Sequence, residues 1–151
     1  MNPPPFSASG NSSKDEEHLK LLSIFHYVLV VFAVLGMIFL FIHYMIFYTV
    51  FNNPKIIEQM QKNQPDQALD PREFLAIFKW FYIFMGGCFL LCAIGNFLSG
   101  WYIREKMHRT FSLFVGGLNC LLVPIGTVLG VFTIIVLSRE SVRALYNTPS
   151  A

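Results

Sequence analysis

The chain has 151 residues, of which 54% are hydrophobic and only 13% are charged, and its net charge is +2. Soluble domains carry about twice that charged fraction. The composition therefore excludes a soluble globular domain and leaves little room for a catalytic domain outside a membrane. The basic residues lie at the ends of apolar segments rather than in one patch, so no nucleic-acid partner is expected.

Three long segments contain no Asp, Glu, Lys or Arg, namely residues 21–51, 80–103 and 110–138. Each is longer than the roughly 18 apolar residues that are typical of a transmembrane helix. The sequence therefore predicts an all-α, polytopic membrane protein with the lipid bilayer as its surroundings. It would have two long spans and a third apolar block that Pro and Gly interrupt.

The first helix is predicted over residues 14–50. Ser13 and Glu16 have the spacing of a capping box at its start. Its apolar core is too long for a cleavable signal peptide, so the span is expected to be retained. The predicted domain boundaries are a disordered N-terminal tail (1–13), a single helical membrane domain (14–146) and a C-terminal tail (147–151), and the predicted spans are 21–50, 74–102, 111–123 and 126–137.

The second helix is predicted over residues 71–103. Asn52, Asn53 and Pro54 are expected to end the first helix, and a short interfacial helix around residues 56–60 is compatible with the polar segment that follows. Asp70 has the position of an N-cap, with Pro71 at the first helical position.

The third apolar block is either one kinked span or a hairpin that dips into the membrane. Pro124 and Gly126 interrupt it, and neither remaining arm can cross a hydrocarbon core of about 30 Å as a helix. With Lys79 left aside, a full crossing would place five basic residues on each side, whereas a hairpin gives seven against three. The positive-inside rule therefore favours the hairpin, with both termini in the cytoplasm.

Small residues recur at helical spacing and predict faces where another helix backbone can approach closely. Gly126 and Gly130 form a GxxxG pair in the third block. Packing within the chain is the favoured interpretation, and a homo-oligomer interface or another membrane protein is the alternative. The predicted face of the second span consists of Gly87, Cys88, Cys92, Gly95, Asn96 and Ser99.

Two asparagines and two histidines fall inside the apolar segments. Asn96 and Asn119 are expected to face the protein interior, either to fix helix register or to line a path for water or a substrate. His26 and His43 are 17 residues apart on the first helix, about 25 Å along its axis, which excludes a shared metal or haem. Each histidine is expected near an opposite membrane interface.

No motif for catalysis or cofactor binding is present in the sequence. It contains no Gly-rich phosphate loop, no His-Glu-x-x-His and no Gly-x-Ser-x-Gly. Cys88, Cys92 and Cys120 lie in apolar segments, where thiols behave as small hydrophobes rather than as disulfides or metal ligands. We therefore expect a protein that is not an enzyme and has no cofactor or metal.

Two stretches carry a resemblance to known proteins. Residues 18–28 (HLKLLSIFHYV) and 124–137 (PIGTVLGVFTIIVL) resemble the opening and ending of a set of small multi-span bacterial inner-membrane proteins. The resemblance implies a bacterial inner membrane and supplies no activity. Those proteins often have Arg-Pro-Ser-Val near the end, whereas this chain has Arg139-Glu140-Ser141-Val142, which argues against a sharp break there.

Two hypotheses about function follow. The first is a non-enzymatic structural or interaction subunit whose helices pack on small residues. The second is an oligomeric transporter or channel component, with a path near Asn96, Asn119 and the break at residues 124–126. Burial of the two asparagines favours the first hypothesis, and their opening to water favours the second.

Overall fold

The structure, a computed structural model, describes residues 9–63 and 71–147, and these residues form helices and turns without a strand. Two of the helices, Ser9–Phe51 and Pro71–Arg104, are long and apolar enough to cross a membrane, and a bent pair, Ile125–Ser138 and Glu140–Asn147, makes a third if it counts as one span. The prediction of an all-α polytopic membrane protein is confirmed. The helices are α1 (Ser9–Phe51), α2 (Pro54–Asn63), α3 (Pro71–Arg104), α4 (Arg109–Asn119), α5 (Ile125–Ser138) and α6 (Glu140–Asn147).

The predicted start of the first helix is wrong. α1 begins at Ser9, so Ser13 lies inside the helix and not at its N-cap, and residues 9–13 are helical rather than disordered. Asp15 and Leu19 are buried. Burial of these two side chains supports the helix just after Ser13, and a local capping motif does not reveal this tertiary support. Residues 1–8 and 148–151, the rest of the two predicted tails, lie outside the described residues.

The end of α1 and the bounds of α3 lie close to the predictions, whereas α4 ends at Asn119 and not at the predicted residue 123. Asn53 caps α2 through its side-chain oxygen, which accepts a hydrogen bond from the Lys55 backbone N–H at 3.1 Å, and Pro54 takes the first helical position. α3 begins at Pro71 as predicted, while its expected cap, Asp70, lies outside the described residues.

The chain divides into two compact units. Unit 1 comprises Met1–Val31 and Ala93–Ala151, and unit 2 comprises Phe32–Cys92. α1 and α3 each contribute residues to both units.

In unit 2, α1 and α3 contact one another through aromatic rings. Phe47 lies against Phe78 with ring centroids 5.1 Å apart. A methyl group added at Gly36 would lie 2.7 Å from the ring of Phe89. The helices of this unit therefore approach closely at a glycine on α1, opposite a large ring on α3.

In unit 1, the third apolar block is a helical hairpin. The chain turns between the end of α4 and the start of α5, where the Val123–Pro124 peptide bond is cis. The Arg109 Nε, at the start of α4, donates to the carbonyl of Leu137, near the end of α5, at 2.6 Å. The Thr127 hydroxyl donates to the Cys120 carbonyl at 2.9 Å across the turn. The two arms are therefore antiparallel.

A sharp bend separates α5 from α6, contrary to the expectation from the missing proline. The two helix axes differ by 76°. Arg139 has an extended backbone (φ −64°, ψ 139°) that ends α5 without a proline. Its Nη1 lies 3.5 Å from Asp15, and Val142 is fully buried, so tertiary contacts hold both sides of the bend.

One end of unit 1 collects the start of α1, the end of α3 and the open end of the hairpin. The Lys106 Nζ lies 2.7 Å from Glu16 of α1, and Arg139 contacts Asp15. We call this the basic end. Its basic residues are Lys14, Lys20, Arg104, Lys106, Arg109, Arg139 and Arg143.

An apolar cluster of unit 1 supports this end. Its buried members come from α1, α3, α5 and α6, so side chains that are distant in sequence pack against one another. They are Leu19, Leu22, Leu29, Ile103, Leu129, Val136, Leu137 and Val142.

Candidate functional site

Unit 1 contains a set of buried polar side chains, which we call the polar core. Its members recur at intervals of three or seven residues, which places them on single faces of α1, α3 and α4, and α5 adds one threonine. The polar core consists of Ser23, His26, Asn96, Ser99, Ser112, Asn119 and Thr133.

Asn96 and Asn119 pair with each other across α3 and α4. The Asn96 Nδ2 donates to the Asn119 Oδ1 at 3.1 Å, and the Asn119 Nδ2 donates to the Asn96 Oδ1 at 2.7 Å. The side chains are 1% and 2% exposed. Two complementary amides thus satisfy one another where an unpaired amide would be costly.

The hydroxyl groups of Ser23 and Thr133 bond to the backbone. The Ser23 Oγ donates to the Gly100 carbonyl at 2.8 Å and joins α1 to α3. The Thr133 Oγ1 donates to the carbonyl of Leu129, one turn earlier, at 2.7 Å. A methyl group added at Gly100 would lie 3.3 Å from the Ser23 carbonyl oxygen, so a glycine permits this close contact.

The expectation that each histidine lies near a membrane interface stays a prediction. His26 is fully buried in unit 1, where its Nδ1 donates to the Leu22 carbonyl at 3.0 Å. Its other nitrogen, Nε2, and the Ser99 Oγ are buried and have no hydrogen-bond partner among the described residues. His43 belongs to unit 2, where it is exposed and hydrogen-bonded to the Tyr82 hydroxyl.

A tight backbone approach lies inside the hairpin. A methyl group added at Gly130 would collide with the Gly116 carbonyl oxygen and lie 2.8 Å from the Cys120 nitrogen. One added at Gly126 would lie 2.6 Å from the Asn119 carbonyl oxygen. The GxxxG pair of α5 therefore packs on α4 of the same chain.

The predicted face of small residues on the second span is divided between the two units, with Gly95, Asn96 and Ser99 in unit 1 and Gly87, Cys88 and Cys92 in unit 2. Asn96 and Ser99 are buried in unit 1, and a methyl group added at Gly95 would make an ordinary contact, 3.8 Å from Val115. Gly87 and Cys88 are exposed in unit 2, and a methyl group added at Gly87 would meet nothing within 4 Å. Cys92 is half-buried.

Sequence analysis missed four residues of this packing: Ser23, Ser112, Gly116 and Thr133. Ser112, Gly116 and Thr133 could have been predicted from the spacing of small residues. Ser112, Gly116 and Cys120 recur every four residues along α4, which is the small-residue spacing typical of close helix contacts. Thr133 follows Gly130 by three residues on α5 and contacts Gly116. Ser23 has no such signal.

Hydrogen bonds of the polar core join α1, α3 and α4 and can fix the register of these three helices. No group of three or more His, Cys, Asp or Glu side chains within residues 9–63 and 71–147 is placed to hold a metal ion. Comparisons of the chain with protein families, with curated proteins and with solved structures find no match.

Proposed function

We propose that this integral membrane protein is a non-enzymatic structural or interaction subunit of a bacterial inner membrane. The reciprocal Asn96–Asn119 pair is the observation that carries the proposal. Both amides use donors and acceptors on each other and are shielded from water, so they hold α3 against the hairpin. A conduit would instead present such groups to a water-filled cavity.

The alternative is a component of an oligomeric transporter or channel. The unpartnered atoms of His26 and Ser99 favour it, because buried polar atoms without partners are the ones that water or a polar solute would occupy. The two functions differ in whether the polar core reacts with aqueous reagents.

Replacing Ser99 by cysteine in a background without the three native cysteines tests this difference. The change is nearly isosteric, and Ser99 is fully buried. We expect no reaction of the Ser99→Cys thiol with a charged, membrane-impermeant reagent in liposomes, and reaction after unfolding in SDS. Ser138→Cys, at the exposed end of α5, is the matched control and should react at once. Equal rates for the two thiols would support the conduit.

We further propose that α1 and α3 cross the bilayer, that the hairpin enters and leaves on one side, and that the basic end faces the cytoplasm. The basic end gathers seven Lys and Arg residues, as the positive-inside rule requires of a cytoplasmic surface. Neither hairpin arm is long enough to cross by itself, since α4 has 11 residues and α5 has 14.

Single cysteines at Ser13, Asn52 and Ser141 test this topology in intact cells. All three positions are exposed in the structure. We expect an impermeant thiol reagent to label Asn52→Cys alone, and Ser13→Cys and Ser141→Cys only after the membrane is opened. Labelling of Ser141→Cys together with Asn52→Cys would contradict the hairpin topology.

The proposed partners are the surrounding lipid and either a second copy of the chain or another membrane protein. The exposed part of α3 around Gly86, Gly87 and Cys88 is the proposed contact face, because its small side chains leave the backbone accessible.

A further inference from the structure

A cavity of about 460 Å³ lies at the basic end of unit 1. It is formed by the connection between α3 and α4, the start of α4, and α6. Of the described residues that line it, four are basic and none is Asp or Glu. We call this cavity the basic pocket, and its lining includes Lys106, His108, Arg109, Arg143 and Tyr146.

The connection that forms the pocket has an unusual backbone. Lys106 and His108 have φ angles of 53° and 44°, in the left-handed region that residues other than glycine rarely adopt. His108 leads into α4 without a side-chain cap, so the N–H groups of the first turn of α4 remain available at the pocket residues Arg109 and Thr110. Strained backbone clusters at functional sites, and a helix N-terminus favours an anion.

Tyr146 adds a hydrogen-bond donor that nothing within the described residues satisfies. Its hydroxyl oxygen is buried without a partner. Burial raises the pKa of Tyr146 to about 12, and the positive charge of Arg109 opposes that rise. The phenol therefore keeps its proton at neutral pH and needs an acceptor, and an orphaned buried donor is costly.

The cations of the pocket are only partly neutralised by the protein. Lys106 pairs with Glu16 at 2.7 Å, and the Arg109 Nε is bonded to the Leu137 carbonyl at 2.6 Å. No carboxylate of the described residues pairs with Arg143, which lies exposed on α6. The pocket thus has net positive charge beside an unsatisfied donor.

We propose that the basic pocket binds a phosphate group, and that a phospholipid headgroup supplies it. Phosphate combines negative charge with several strong acceptor oxygens, so one group could accept from Arg143 and from the Tyr146 hydroxyl. The pocket lies at an end of the apolar helices α1 and α3, where lipid headgroups lie in a bilayer. Basic pockets at such positions favour anionic lipids.

Thermal unfolding of the full chain in detergent micelles tests the proposal. We expect phosphatidylglycerol to raise the Tm of the wild type by several degrees and phosphatidylcholine to leave it unchanged. Arg143→Gln and Tyr146→Phe should each lose at least half of that rise. Lys20→Gln removes an equal charge from an exposed position at the same end but outside the pocket, and should keep the full rise.

A second arm identifies the source of the phosphate. Inorganic phosphate and glycerol 3-phosphate are added at the same phosphate concentration without lipid. A rise in Tm that depends on Arg143 in this arm supports the site and shows that free phosphate occupies it. A rise in Tm with phosphatidylglycerol but with neither soluble phosphate shows that the lipid headgroup occupies it.

Three outcomes would overturn the proposal. The first is a Tm of the wild type that neither lipid nor free phosphate raises. The second is equal loss of the rise in Lys20→Gln and Arg143→Gln, which would show a general charge effect. The third is a rise in Tm with phosphatidylglycerol that is as large in Arg143→Gln and Tyr146→Phe as in the wild type. The Tm of each variant without ligand shows whether it is folded, and Tyr146→Phe should be at least as stable as the wild type because it removes an unpartnered hydroxyl.

Discussion

Replacing Gly130 by alanine is expected to destabilise the protein by about 1–3 kcal/mol, the usual cost of overpacking a tight contact. The added methyl group would collide with the Gly116 carbonyl oxygen and lie 2.8 Å from the Cys120 backbone nitrogen. These are backbone atoms, which cannot relieve a clash by changing rotamer as a flexible side chain can. The arms of the hairpin would therefore have to separate, and the contacts between α4 and α5 would weaken.

Gly117→Ala is the matched control for this prediction. Gly117 lies on α4 next to Gly116, is exposed, and has nothing within 4 Å of an added methyl group. Alanine favours a helix over glycine by up to about 1 kcal/mol, so the control should be neutral or slightly stabilising. Unfolding by SDS in mixed micelles measures both variants. Unfolding at the same SDS fraction would show that the hairpin does not pack through Gly130.

The second large effect is expected at the asparagine pair. Asn96→Leu or Asn119→Leu should each cost about 1–3 kcal/mol, because each leaves its buried partner without two hydrogen bonds. The double variant should be more stable than the sum of the two costs implies, since it leaves no amide of the pair unpaired. We expect a coupling energy of about 1–2 kcal/mol, near the upper end for polar pairs between membrane helices.

A second cycle controls for nonspecific coupling. It combines Asn96→Leu with Gly117→Ala, whose added methyl group would meet nothing within 4 Å. These two changes should be additive. If the asparagine cycle is additive as well, the pair does not hold α3 against the hairpin, and the main support for a packing role is lost.

Most of the membrane architecture could be predicted from the sequence because its causes are local. Long segments without charge can be stable only in apolar surroundings, and α1 and α3 lie where those segments predict them. Pro71 begins α3, and α1 ends before Pro54, because proline restricts its own backbone and removes a donor. The turn at Pro124 follows from the same chemistry.

Part of the candidate site could also be predicted. Asn96 and Asn119 had to face protein, because an amide in lipid is costly, but the sequence left open whether they would meet each other or water. The GxxxG spacing of Gly126 and Gly130 indicated a close helix contact without naming the partner helix. Both questions concern residues that are distant along the chain.

The sequence by itself determined which segments are apolar helices, where prolines interrupt them, and which polar residues could not face lipid. Only the tertiary structure decided that α1 begins at Ser9, that His26 is buried, and that α5 bends away at Arg139. The reason is that these features depend on contacts such as that of Arg139 with Asp15, 124 residues apart. Helix propensity and hydropathy act over a few turns, whereas burial and partner choice depend on which faces meet in space.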